Sequence, residues 1–295
     1  MSESPVRLVQ AHANHGAAWV NGDLRPVHFP RRIERPLPGD LVHIDDAGTL
    51  TAVVERRNLF GRGDGRGRFR PIAANLDRSV IVIASEPAPS RDLLHRYLAA
   101  ALIRGIEPLI VLNKSDLPRP RQAPFTELQA LGELGFEHVE ARCLPEPDVA
   151  ALQSRIGCGI TLLAGQSGVG KSSLLNALVP DIEAQTGRLS RVTGKGTHTT
   201  TTATAHRHGD DAWLIDTPGV WEYGLWKMDP ETLQRGFPEF SKHAAGCRFR
   251  DCRHRSEPGC AVVAAVESGA LPGFRHQAWL RLLAEQERFG CQGVR

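Results

Sequence analysis

The sequence has no long apolar run, and its N-terminal residues 1–5 have no basic start followed by an apolar stretch. A membrane-spanning helix needs roughly 18 consecutive apolar residues, so we expect no membrane partner. A secretory signal is not expected either, which predicts a cytoplasmic location. Neither sign of charge is in large excess, because the formal net charge is only +3. Total charge therefore says little about partners.

Cysteine is scarce, at six of 295 residues, and no pair has the common C-x-x-C spacing. In a reducing compartment, clustered cysteines bind metal more often than they form disulfides. Hydrophobic residues make up 41% of the chain and charged residues 23%, which is typical of a globular protein with a core. The length predicts one or two average domains and room for a small third module, and we expect a monomer.

Short β-like runs separated by turn signals fill the first 57 residues. The runs are residues 17–20, 27–29, 41–44 and 51–54. Short strands at this spacing are typical of a small barrel or sandwich. A five-stranded OB-fold barrel fits the length, and such barrels often bind nucleic acid. The periodicity also allows an SH3-like barrel.

Residues 56–70 are rich in glycine and arginine, with six arginines against one aspartate and two interleaved phenylalanines. The glycines predict a mobile loop, and the arginines predict attraction to phosphate. We expect this segment to contact RNA, with Arg62, Arg66 and Arg68 as candidate contacts. The alternative is a solvated linker.

Strands alternate with helices from residue 78 onwards. Residues 80–84 and 108–112 are apolar throughout, as in a parallel sheet buried on both faces, and residues 93–104 between them predict a crossover helix. Further strands are expected at residues 136–140, 159–164 and 212–215. This pattern predicts a doubly wound α/β domain.

A phosphate-binding loop of the form G-x-x-x-x-G-K-[ST] follows one of these strands and precedes an expected helix. Its candidate nucleotide contacts are Gly165, Gln166, Ser167, Gly168, Val169, Gly170, Lys171, Ser172 and Ser173. Glycines let backbone N–H groups surround the phosphates, Lys171 brings a positive charge to them, and the Ser172 hydroxyl can bind Mg²⁺. On its own this motif does not separate GTPases from ATPases or nucleotide kinases.

Two further motifs end apolar strands and make that separation. In the D-x-x-G motif, Asp216 can hold Mg²⁺ and the Gly219 N–H can sense the γ-phosphate. In the N-K-x-D motif, Asn113 and Lys114 precede Asp116, whose carboxylate can accept hydrogen bonds from guanine. Adenine lacks that pair of donors, so it would leave a polar group unpaired. Three motifs at the carboxyl ends of strands predict a binding site for GTP and its product GDP.

The order of these motifs is circularly permuted. An ordinary GTPase has the phosphate loop, then D-x-x-G, then N-K-x-D, whereas here N-K-x-D comes first. Permutation moves the chain ends and leaves the site intact. It also joins the segments that sense the γ-phosphate directly to the C-terminal module.

The glycine- and threonine-rich residues 193–202 lie where a GTPase needs a threonine to complete the Mg²⁺ shell. We expect this threonine to be Thr199 or Thr200; a plain polar loop is the alternative. Val220 stands where many GTPases have a glutamine that positions water, and valine cannot do this. Either His198 takes that catalytic role or a partner supplies it, and unaided hydrolysis is expected to be slow.

A cysteine and histidine cluster near the C-terminus predicts a structural zinc site. Its ligands are Cys247, Cys252, His254 and Cys260. Three thiolates and an imidazole match a closed four-coordinate zinc, with one ion per chain; the alternative is a chance cluster of buried thiols. Four interleaved arginines predict a basic rim suited to RNA phosphate, or else a solvated face. They are Arg248, Arg250, Arg253 and Arg255.

Together these motifs resemble the circularly permuted, ribosome-small-subunit-dependent GTPase family known as RsgA or YjeQ. The resemblance covers nearly the whole chain, including residues 113–116, 165–176, 198–201, 216–226 and the cysteine cluster. It implies an OB-fold barrel in residues 1–70, a permuted GTPase domain in 71–228 and a mostly helical zinc-binding domain in 229–295. It also implies GTP hydrolysis stimulated by the small ribosomal subunit and its rRNA, and a role in late maturation of that subunit.

This chain departs from the family pattern in two places. Trp221 stands where arginine or another residue is frequent, and the second guanine-contacting loop has Glu140-Ala141-Arg142 in place of Ser-Ala. Ala141 is the best candidate for that contact. Three functions remain open at this point: an assembly GTPase, a non-catalytic GTP-gated RNA-binding module favoured by Val220, and a P-loop kinase or ATPase. The N-K-x-D motif argues against the third.

Overall fold

The computed structural model describes residues 4–90, 92–179, 181–193, 202–217 and 223–291. The strands are β1 (Val6–Ala11), β2 (His15–Val20), β3 (Asp23–His28), β4 (Leu41–Ile44), β5 (Leu50–Val53), β6 (Leu59–Gly63), β7 (Phe69–Ala74), β8 (Arg78–Ala84), β9 (Glu107–Asn113), β10 (His138–Glu140), β11 (Gly159–Gly165), β12 (Thr204–Arg207) and β13 (Ala212–Asp216). The α-helices are α1 (Leu93–Ile103), α2 (Leu128–Glu133), α3 (Ala150–Gln153), α4 (Lys171–Leu178), α5 (Ile182–Thr193), α6 (Pro230–Gln234), α7 (Ser241–Ala244), α8 (Ala261–Glu267) and α9 (Gly273–Cys291). Within these ranges, no helix is both long and apolar enough to cross a bilayer.

The first five strands pair around a small core of their own. Strand β1 pairs antiparallel with β2 and β4, β2 pairs with β3, and β4 pairs with β5. A parallel bridge between His28 and Thr49 brings the end of β3 beside the start of β5. The buried side chains inside include Leu8, Val27 and Val42. The predicted strands are present, and β1 is an additional strand that the turn signals did not reveal.

The glycine- and arginine-rich segment is a β-hairpin, so the prediction of a mobile loop there is wrong. Strands β6 and β7 pair antiparallel, and Phe69 aligns with Gly63. A Cβ at Gly63 would lie 2.3 Å from the carbonyl oxygen of Leu225. Glycine is therefore required here because another segment of backbone approaches closely, and the composition reflects packing instead of freedom of movement.

A mixed sheet with the strand order β10-β9-β8-β11-β13-β12 forms the centre of the molecule. Its first five strands are parallel, and β12 is antiparallel to β13. Pairing of Gln10 with Thr204 joins β12 to β1, so the first five strands continue the same sheet. The sequence of β12 is Thr-Ala-His-Arg, which has no apolar run and gave no strand signal.

Helices cover both faces of this sheet, which confirms the doubly wound α/β prediction. On β8, Ile81 and Ile83 pack into the cluster that contains helix α1, whereas Val80 and Val82 pack into the cluster that contains helix α4. Alternate residues of a strand point to opposite faces, and here both faces are buried. This explains why residues 80–84 of β8 are all apolar.

The C-terminal helices pack against helix α1 of the α/β unit. The fully buried guanidinium of Arg275 in α9 forms an ion pair with Glu239 at 2.5 Å and a hydrogen bond to His95 in α1 at 3.0 Å. Trp279, Leu282 and Leu283 of α9 are completely buried. A charge buried in this way must be paired, so Arg275 fixes how the C-terminal helices sit on α1.

Candidate nucleotide site and metal centre

The three nucleotide-binding motifs lie at one edge of the parallel sheet. Strand β9 ends at Asn113, β11 ends at Gly165, and β13 ends at Asp216. Since the strands are parallel, these carboxyl ends lie side by side. The permuted chain order therefore still assembles one site.

Hydrogen bonds join the N-K-x-D segment directly to the phosphate loop. The side-chain amide of Asn113 donates to the Val169 carbonyl at 2.8 Å. The ammonium of Lys114 donates to the Gly168 carbonyl at 2.9 Å and to the Glu86 carbonyl at 2.7 Å. Lys114 has a φ of 55°, which turns the chain after β9 and returns this side chain to the loop. The two motifs form one rigid unit.

Glycine is required where the phosphate loop enters helix α4. Gly170 is the residue before the helix and has a φ of 92°. A Cβ there would lie 2.4 Å from the side-chain amide nitrogen, Nδ2, of Asn113. Only glycine fits, so the N-terminal amides of α4 stay open to an anion.

Lys171 and Asp216 form the charged floor of the site. Lys171 is buried and donates to the carbonyls of Gly165 and Gln166, each at 2.9 Å. Burial lowers the pKa of Lys171, while the nearby Asp216 raises it. Burial raises the pKa of Asp216 to about 6, against the opposite effect of Lys171. Each charge is desolvated, and a bound phosphate and cation would compensate both.

The site fits a magnesium ion on the evidence of its oxygen donors. Asp216 is buried, and among the described residues its Oδ1 has no hydrogen-bond partner. Ser172 lies exposed in the first turn of α4. Magnesium prefers carboxylate, hydroxyl, water and phosphate oxygens, which is the set that would meet here.

At the base-recognition end, Asp116 is exposed just beyond the turn at Lys114. Ala141 lies beside it: the Ser115 N–H donates to the Ala141 carbonyl at 3.1 Å, and the Ala141 N–H donates to Leu112 at 2.9 Å. The segment suggested by resemblance is therefore adjacent to N-K-x-D. The other predicted site residues, His198, Thr199, Thr200 and Gly219, lie outside the described residues.

The four cysteine and histidine residues predicted as metal ligands are together in space. Their ligand atoms all lie within 4.8 Å of one another. The Cys247 Sγ lies 3.9 Å from the Cys260 Sγ and 3.7 Å from the His254 Nδ1, and the Cys260 Sγ lies 3.4 Å from the same nitrogen. The cluster can therefore hold a metal ion through Nδ1 of the imidazole.

Neighbouring groups orient these ligands, and one of the neighbouring groups, Gln234, could not be identified from the sequence. The Nε2 of His254 lies 3.3 Å from Oε1 of Gln234, twenty residues away, which fixes the ring with Nδ1 towards the thiols. The Val263 N–H at the start of α8 donates to the Cys260 sulfur at 3.5 Å, which helps to hold this side chain in place. No local motif marks Gln234 as part of the site.

All four arginines of the predicted basic rim are exposed. Arg253 and Arg255 also form ion pairs with Glu287 of α9 at the surface, whereas no ion pair is found for Arg248 or Arg250 among the described residues. The suitability of the rim for RNA phosphate stays a prediction.

Comparison with known proteins agrees with this site. The RsgA GTPase family matches residues 53–226 of the chain. A Hahella chejuensis protein named small ribosomal subunit biogenesis GTPase RsgA is 42% identical over 275 residues, which span 90% of this chain and 79% of the relative.

Two crystal structures are similar over nearly their whole length. YjeQ from Thermotoga maritima has a TM-score of 0.72 and 25% identity, and the match covers 96% of this chain and 98% of YjeQ. YloQ, described as a circularly permuted GTPase, has a TM-score of 0.70 and 26% identity, with 97% and 95% covered. With its permuted motifs assembled at one sheet edge, this chain belongs to the RsgA GTPase family.

Proposed function

We propose that this chain hydrolyses GTP while bound to the small ribosomal subunit, and that it assists the late maturation of that subunit. The observation that carries the proposal is the guanine-type site itself, in which N-K-x-D is hydrogen-bonded to the phosphate loop. The partner comes from the name of the Hahella chejuensis relative. A cytoplasmic, monomeric protein is part of the proposal. The test is GTP turnover with and without purified small subunits.

In this proposal the nucleotide is held by three groups of residues. The base contacts are Asn113, Lys114 and Asp116; the phosphate contacts are residues 165–173 and Gly219; the magnesium ligands are Ser172, Asp216 and either Thr199 or Thr200. Bound magnesium would neutralise charge on the phosphate oxygens. The roles of His198, Thr199, Thr200 and Gly219 stay predictions from the sequence.

We also propose three domains, residues 1–70, 71–228 and 229–295, with an OB-fold in the first. The pairing of β1 with β2 and β4, together with the bridge from β3 to β5, supports a closed five-stranded barrel. The hairpin β6–β7 falls at the first boundary.

The metal in the cysteine cluster is proposed to be zinc, one per chain. Tetrahedral zinc, with bonds of about 2.3 Å to sulfur and about 2.0 Å to nitrogen, separates its ligand atoms by roughly 3.5–3.8 Å. The separations of 3.4–3.9 Å among the ligand atoms of Cys247, His254 and Cys260 support this, and all four ligand atoms lie within 4.8 Å of one another. A closed Cys₃His set leaves no open position, so the ion would be structural.

Removing the zinc is expected to unfold the C-terminal helices while nucleotide affinity changes less than about twofold. Structural zinc contributes about 10 kcal/mol or more in small zinc domains. Among the described residues, the phosphate loop is hydrogen-bonded to Asn113, Lys114 and its own Lys171 side chain, and not to this cluster. The variant Cys252→Ser removes one of the four ligands. Elemental analysis, circular dichroism and nucleotide titration of this variant measure its metal content, folding and nucleotide affinity. Cys158→Ser is the matched control, because Cys158 is exposed and far from the cluster in sequence. A metal-free wild-type protein that remains fully folded would contradict the proposal.

The RNA contacts on the hairpin β6–β7 are proposed to be Arg62 and Arg66, with Arg68 in a different role. Asp64 accepts the backbone N–H groups of Arg66 and Arg68 and pairs with the guanidinium of Arg68 at 2.9 Å. The hydrogen bond from the Arg68 backbone and these further contacts hold the pKa of Asp64 well below its usual range. In the described part of the chain, neither Arg62 nor Arg66 pairs with a carboxylate through its side chain, so both are available to phosphate.

Replacing Arg62 and Arg66 with alanine is expected to weaken small-subunit binding and to reduce its salt dependence by about one unit of log–log slope per lost contact. GTP affinity should stay within about twofold. The matched control is Arg57→Ala with Arg155→Ala, which also removes two exposed arginines but takes them from the ion pairs with Asp77 and Glu137. Equal loss of binding in both double variants would show that net charge, and not this hairpin, is responsible.

A further inference from the structure

The hairpin β6–β7 is hydrogen-bonded to the segment that follows β13. The Gly63 N–H donates to the Gly224 carbonyl at 2.8 Å, and the Lys227 N–H donates to the Gly67 carbonyl at 2.7 Å. The hydroxyl of Tyr223 donates to the Gly61 carbonyl at 2.5 Å. Residues 223–227 thus run along the hairpin, a few positions after Asp216 of the nucleotide site.

Two stacked tyrosines continue this contact to the phosphate loop. The ring of Tyr223 stacks on Tyr97 of α1 with centroids 4.1 Å apart, and on Phe60 of the hairpin at 6.0 Å. Both tyrosines are 3% exposed. The backbone of Gly165, the first residue of the phosphate loop, opposes the rise that burial causes in the pKa of the Tyr97 hydroxyl, and Tyr97 lines one cavity with the neighbouring Ala164. The stacked rings therefore extend from the hairpin to a cavity beside the start of the phosphate loop.

Arg62 faces the same tyrosine pair. A cavity of about 580 Å³ is lined by Arg62, Tyr97 and Tyr223 together with Ala164 and Thr217, which adjoin Gly165 and Asp216. Burial raises the pKa of both tyrosine hydroxyls, and the positive charge of Arg62 partly opposes this. An arginine proposed to contact RNA thus lines the same cavity as the two tyrosines and Ala164, the residue before the phosphate loop.

We propose that Tyr223 and Tyr97 are positioning residues that couple the hairpin β6–β7 to the phosphate loop, so that the placement of the hairpin depends on the bound nucleotide. The inference rests on the proposed nucleotide site and adds the route by which a partner would sense it. Close-packed interiors shift between discrete arrangements and do not deform continuously. By thermodynamic linkage, a nucleotide that changes the affinity of the hairpin for a partner has its own affinity changed by the same factor when that partner binds.

Hydrogen exchange of the full chain tests the coupling without any partner. The amides of residues 61–69 are compared in the presence of magnesium with saturating GDP and with an imido analogue of GTP. We expect their exchange rates to differ by about fivefold or more, which is the lower end of typical allosteric coupling factors. In Tyr223→Phe, which keeps the ring and loses the bond to Gly61, the difference should fall below about twofold. The affinity for each nucleotide should be retained.

Ser79→Ala is the matched control, because Ser79 on β8 also has a buried hydroxyl but lies off this path. It should keep the wild-type difference. If Tyr97 and Tyr223 serve only as core residues, amide exchange in the hairpin will still depend on the nucleotide in Tyr223→Phe. That result, or the absence of any difference in the wild type, overturns the proposal.

GTP turnover with purified small subunits separates this inference from the proposed function. If wild-type hydrolysis is not stimulated, the ribosomal partner is wrong, and the coupling is judged by hydrogen exchange alone. If it is stimulated, Tyr223→Phe should keep the unaided rate and lose about fivefold or more of the stimulation. Full stimulation in this variant also overturns the coupling.

Discussion

Purified small ribosomal subunits are expected to accelerate GTP hydrolysis by this chain on the order of 10³-fold or more, as activators do for other GTPases. Val220 occupies the position of a water-positioning glutamine and has no polar atom in its side chain. Unaided turnover should therefore be slow. A partner that orders the site would lower the barrier by about 4 kcal/mol for each 10³-fold.

The measurement compares small subunits, large subunits and unrelated RNA in one turnover assay. Only small subunits should stimulate, and the GTP form should bind them best, since a partner that binds both nucleotide states equally cannot be gated by GTP. Binding should weaken as salt rises, because phosphate contacts release counterions. Equal stimulation by all three additions, or by none, would remove the ribosomal partner from the proposal.

Asp116→Asn is expected to weaken GTP binding by about 10²-fold or more and to favour xanthosine triphosphate. The carboxylate of Asp116 would accept hydrogen bonds from the guanine N1–H and 2-amino groups, and an amide cannot accept both. Xanthine has an oxygen in place of the 2-amino group, which an amide N–H can meet. Asp116 is exposed next to Ala141, so it is free to receive a base.

Titration of both nucleotides against the wild type, Asp116→Asn and Asp211→Asn measures this switch. Asp211 is an exposed aspartate at the turn before β13 and is the matched control, which should leave both affinities unchanged. GTP affinity that is unchanged in Asp116→Asn would show that the N-K-x-D motif does not read the base.

The local parts of the nucleotide site could be predicted from the sequence alone. Residues 80–84 of β8 and 108–112 of β9 are apolar because both faces of the sheet are covered, and the phosphate loop has its glycines and lysine within seven positions. Parallel strands bring their carboxyl ends together whatever the chain order, so the permuted site could also be predicted. The four metal ligands lie within fourteen residues, which made their proximity predictable.

Only the tertiary structure decided what depends on contacts between distant residues. The glycines of residues 56–70 suggested a loop, yet they form a hairpin because the backbone near Leu225 packs against Gly63. Arg62 and Arg68 look alike in sequence, but the fold gives Asp64 to Arg68 and turns Arg62 towards Tyr97 and Tyr223. The contact between Gly63 and Leu225 joins residues 162 positions apart, and no local propensity encodes it.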